Sequence, residues 1–75
     1  MRIYIFKSET RLNLRAFAGD ITGSKLPAQV GPWRLIRASP VGVPLPHGIA
    51  RTPIERAVTS IGYQLWRIRA ITPAA

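Results

Sequence analysis

The chain opens on a short apolar and β-branched block, Arg2-Ile3-Tyr4-Ile5-Phe6-Lys7. Alternation puts Ile3 and Ile5 on one face and Tyr4 and Phe6 on the other. A strand that is apolar on both faces belongs inside a sheet. Ser8-Glu9-Thr10-Arg11 is polar and short, which suits a hairpin loop. Leu12, Leu14, Ala16 and Ala18 then alternate with Asn13, Arg15 and Phe17, predicting a second strand. A helix over 9–18 competes, because Leu14, Phe17 and Ala18 also fit helical spacing. The alternation runs longer than the helical stripe and favours the strand.

Gly19-Asp20-Ile21-Thr22-Gly23-Ser24 is turn material. From Lys25 to Arg51 the chain is punctuated by Pro27, Pro32, Pro40, Pro44 and Pro46, with Gly31, Gly42 and Gly48 between them. These deny it a long helix. A short strand over Trp33-Arg34-Leu35-Ile36-Arg37 fits inside. The rest is expected to wrap one face of the sheet, burying Leu26, Val30, Trp33 and Leu45.

Thr52-Pro53-Ile54-Glu55 reads as a capping box, with Thr52 as N-cap and Pro53 at the first helical position. Ile54, Ala57, Val58 and Ile61 form one apolar face, and Gly62 supplies the stop, so a helix is predicted over 53–61. Residues 63–70 alternate again as a last strand. Gln64, Trp66, Ile68 and Ala70 share one face; Tyr63, Leu65, Arg67 and Arg69 share the other. Residues 1–71 are expected to make one domain, and residues 72–75 a disordered tail. The order β-β-long loop-α-β predicts an α+β fold. Its simplest form is a small antiparallel sheet of three or four strands, the first central, with one helix packed on one face.

Composition narrows the functional classes. With 47% apolar residues the chain has the balance of a globular domain. It has no Cys, so neither disulfides nor thiolate metal sites can reinforce it. No apolar run approaches the roughly 20 residues that span a bilayer, and no secretory-type apolar region follows Met1-Arg2. A cytoplasmic location and no membrane partner are the resulting expectations.

Charge adds more. Eleven Lys and Arg stand against three Asp and Glu, a formal net charge of +8. GC-rich codon usage accounts for Arg in preference to Lys, but not for the scarcity of acids. Such a balance favours nucleic acid or another polyanion as partner. Arg67 and Arg69 alternate onto the face that carries Tyr63, and basic groups beside an aromatic on a sheet can grip phosphates and stack on bases. Arg15, Arg34 and Arg37, with Arg2 and Lys7, would widen that patch if the fold brings them together. The first expectation is therefore a non-enzymatic binding module for nucleic acid without sequence preference. The alternative is a protein-interaction or regulatory module, self-associating or holding a protein partner through Trp33 or Trp66.

Other chemistry finds little support. Arg51 and His47 precede the helix N-terminus, where free amides and the helix dipole could hold an anion. Gly19-Asp20-Ile21-Thr22-Gly23-Ser24-Lys25 lacks the spacing of a phosphate-binding loop, and Pro27 stands where its helix would grow. One His and three scattered carboxylates make no metal set, and no motif supports a catalytic nucleophile, so no metal, cofactor or enzymatic activity is expected. The segment 39–48 is Pro-rich but has no PxxP spacing.

Gly23-Ser24-Lys25-Leu26-Pro27, Gly31-Pro32-Trp33 and Gly62-Tyr63-Gln64-Leu65-Trp66-Arg67 resemble the pattern of small uncharacterised bacterial proteins of about this length. The resemblance covers most of the chain. It implies a free-standing bacterial cytoplasmic protein and carries over no activity or site residue.

Overall fold

The computed structural model describes residues 1–68, leaving the His47 side chain aside. Four strands, β1 (Ile3–Ser8), β2 (Leu14–Ala18), β3 (Trp33–Ser39) and β4 (Tyr63–Arg67), form an antiparallel sheet. Their order is β3-β1-β2-β4, with one helix, α1 (Arg51–Ile61), between β3 and β4 in the chain. The fold is the expected α+β arrangement, with the apolar first strand inside the sheet. Arg69 and Ala70, assigned by alternation to the last strand, lie outside the described residues, as does the expected tail.

Register assigns each side chain to a face, because residues opposite one another point the same way. Ile5 opposes Phe17 on β2 and Arg37 on β3, and Phe17 opposes Gln64 on β4. Ile54 and Val58 of α1 and Leu45 from the loop before it close over Ile3, Ile5 and Phe17 on this helix face. On the other face Phe6, Ala16 and Ala18 pack under Leu26, with Tyr4, Trp33, Tyr63 and Leu65 around them. The long segment 19–50 is therefore divided by β3. Its first part covers one face and its second part the other, so Leu26 and Leu45 are buried on opposite sides of the sheet. Val30 and Trp33 are half-buried, and the Trp33 indole donates to the Pro27 carbonyl at 3.0 Å.

The hairpin loop is tied to this covering segment. Ser8 is fully buried. Its hydroxyl accepts from the amides of Thr10 and Arg11 at 3.2 and 3.0 Å and donates to the Val30 carbonyl.

The helix begins two residues earlier than the capping box predicts. Ala50 is the N-cap and provides no side-chain bond. Glu55 pairs instead with Arg51, Nε to Oε2 at 3.0 Å. The guanidinium attracts this carboxylate more strongly than a neutral amide does, which displaces the box. The Gly62 stop is as expected: at φ +96° it adopts the left-handed cap, and its amide donates to the Val58 carbonyl at 3.0 Å. Lys25 packs its side chain against the place a Cβ would occupy there.

Candidate functional site

The helix covers only part of its face. Three successive cross-strand rows can be followed there. Ile3 opposes Ser39; Arg37, Ile5, Phe17 and Gln64 follow; then come Arg34, Lys7, Arg15 and Trp66. Ile54, Val58 and Leu45 bury the apolar members of the first two rows. In the third row Lys7, Arg15 and Trp66 are half-buried and Arg34 is exposed. Neighbouring strands lie about 4.8 Å apart, so the charges of Arg34, Lys7 and Arg15 form a line roughly 10 Å long at the level of the backbone.

Arg34 and Arg37 are three residues apart and would face opposite ways on a regular strand. A β-bulge changes that. The register of β3 on β1 shifts between Ile5 and Phe6, so that Arg37 opposes Ile5, Leu35 opposes Phe6, and Ile36 is the extra residue. A bulge re-aims side chains and alters the alternation beyond it. Both arginines therefore share the helix face.

Between the second and third rows lies a recess of about 270 Å³. It is lined by Ile5 and Arg15 from the inner strands, Ile36 and Arg37 from β3, and Trp66, Ile68 and Pro46. That is slightly below the roughly 300–1,000 Å³ of sites that take a drug-sized ligand. Trp66 rests on buried Phe17, with ring centroids 6.0 Å apart and planes inclined at 31°. Arg15 is held at the rim by donating Nη1 to the carbonyls of Leu12 at 2.9 Å and Leu14 at 3.3 Å.

No Asp or Glu occurs within any of the four strands. Among the described residues the one ion pair is Arg51–Glu55. The recess thus has an apolar lining and a cationic rim.

The patch read from the sequence is divided between the two faces. Tyr63 and Arg67 oppose Ala18 and Leu14 and share the face opposite the recess, as alternation predicts. Arg15, Arg34 and Arg37 come together on the helix face, away from Arg67. Arg69 lies outside the described residues. Lys7 and Trp66 complete the cluster. Pairing of Trp66 with Arg15, two strands that hairpin logic alone does not join, is what brings them there.

Arg51 is engaged in structural bonds. Besides Glu55, it donates to the Ser39 hydroxyl at 2.8 Å, the Val43 carbonyl at 2.7 Å and the Met1 carbonyl. It ties the helix start to the β3 end and the first residue. The side chain of His47, its suggested partner for an anion, lies outside the described residues.

Among the described residues no three or more His, Cys, Asp or Glu are grouped to hold a metal ion. Among them too, no helix is long and apolar enough to cross a membrane. No family model, curated protein or solved structure matches the chain.

Proposed function

We propose that this protein is a non-enzymatic binding module for nucleic acid, met in the cytoplasm and gripped mainly through its phosphates. The observation that carries the reading is the cation cluster Arg34, Lys7, Arg15 and Arg37 beside an apolar, Trp66-lined recess on one face. Phosphate contacts dominate such binding, and each one releases counterions. A surface of this kind needs no sequence readout and no bond-making step. Support also comes from the net charge of +8.

The reading is tested by titrating a labelled single-stranded oligonucleotide at several salt concentrations. If three or four of the clustered cations engage phosphates, log affinity falls against log salt with a slope of about −2 to −3. Arg15→Ala and Arg37→Ala should each weaken binding several-fold and flatten the slope by about 0.7. Arg67→Ala, on the opposite face, should change it less. Absence of binding at low salt removes the proposal.

A second reading, binding of a protein partner, is favoured by one observation. β3 is an edge strand on which Leu35 and Ile36 are 39% and 47% exposed. Edge strands of that kind accept an added strand. Light scattering after size exclusion, with and without heparin, separates the readings: a dimer indifferent to heparin supports this second one.

A further inference from the structure

We infer that the recess receives one unpaired base, which makes single-stranded nucleic acid the preferred ligand over duplex; this rests on the nucleic-acid reading above. The lining sorts into two chemistries. Ile5, Ile36, Ile68, Pro46 and the Trp66 ring offer apolar and aromatic contact, while Arg15 and Arg37 stand among them as cations. A base has a planar face that stacks on an aromatic ring whatever its sequence. The phosphate attached through its sugar then lies within reach of an arginine at the rim, and the line from Arg15 through Lys7 to Arg34 continues the track for the neighbouring phosphates.

A duplex could use the cations but not the recess, because its bases are stacked and paired inside. Nor does the fold offer a helix to a major groove. α1 has its apolar side on the sheet, and of its two arginines Arg51 is bonded to Glu55, Ser39, Val43 and Met1, leaving Arg56 as the exposed one. The volume of about 270 Å³ suits one base and not a whole dinucleotide cofactor.

The test uses the full chain and three probes of equal phosphate number: oligothymidylate, the same strand made abasic, and a duplex. In a Trp33→Phe background Trp66 is the sole indole. Oligothymidylate should quench its fluorescence and bind about five- to hundredfold more tightly than the other two probes, the range of one base–aromatic stack. Trp66→Ala should abolish this preference, so that oligothymidylate and the abasic strand bind that variant equally, and Trp66→Phe should retain it. Equal affinity for all three probes with a normal salt slope overturns the base site but leaves the nucleic-acid reading standing. No binding of any probe removes both. If Trp66→Ala fails to fold, quenching decides alone: oligothymidylate bound without a change in Trp66 emission overturns the inference.

Discussion

Ser8 shows how much one small side chain can organise. Its hydroxyl satisfies two hairpin amides and one carbonyl of the covering segment inside a buried site. Ser8→Ala would remove the shared acceptor of both amides and one of the donors to the Val30 carbonyl, which keeps the Thr10 hydroxyl at 3.4 Å. The expected cost is about 1–3 kcal/mol, read as a lower urea midpoint at unchanged m-value. Asp20 has the same organising role in the turn after β2. It accepts from the hydroxyls of Thr22 and Ser24 at 2.8 and 3.0 Å and from the Gly23 amide at 3.1 Å. The Thr22 bond foremost, with those from Ser24 and Gly23, lowers its carboxyl below the ordinary value near 3.8, against a smaller opposing effect of burial. A carboxyl lowered in the folded state stabilises the fold above its unfolded value and loses that effect as the pH falls through the folded one. Stability should therefore decline below about pH 4, and Asp20→Asn should flatten that acid limb in thermal melts. The group lies near the surface, so the difference is small.

At the level of elements, the bulge in β3 is the decisive device. Removing Ile36 leaves Arg37 opposite Ile5 and Leu35 opposite Phe6, now as a regular ladder. The deletion variant should keep its circular dichroism and the salt slope of binding, because the cations stay where they are. It should lose part of any preference for single strands, because one wall of the recess is gone. Loss of the salt slope would show that the bulge also aims the arginines. The strands and the helix were readable from period and composition: β1 from its two apolar faces, β2 from Leu14-Arg15-Ala16-Phe17-Ala18, α1 from its apolar stripe and Gly62. The bulge was not, since the residues Trp33-Arg34-Leu35-Ile36-Arg37 do not encode which of them is extra; the partner strand decides. The helix start was misread for a related reason. Thr52 and Glu55 form a sound local motif, but Arg51, four residues before Glu55, takes its carboxylate, and Arg51 is itself held in place by Ser39, Val43 and Met1, which only the fold brings to it. Lys7, Arg15, Arg34 and Arg37 could be named as candidates from the sequence, but that they share one face while Arg67 lies on the other depends on the β3-β1-β2-β4 order and register, which unite residues far apart in sequence.

For the whole molecule, a net charge of +8 against one ion pair among the described residues means that repulsion outweighs attraction. Added salt screens that repulsion, with a Debye length of about 10 Å at 0.1 M. The melting temperature should rise from low salt to about 0.15 M, the reverse of a fold held by surface ion pairs. A fall in melting temperature over that interval would contradict this account. The strand order also governs timing. β1 and β2 are joined by the short loop 9–13, whereas β3 and β4 reach the sheet only after long excursions. Short closures form first and distant ones later. The central hairpin should hold the slowest-exchanging amides, and the two edges should open most readily. The recess has one wall on each edge, so it exists only when both have docked. An occupant would act as a clasp across the two seams that part first, slowing exchange in β3 and β4 together although they never touch.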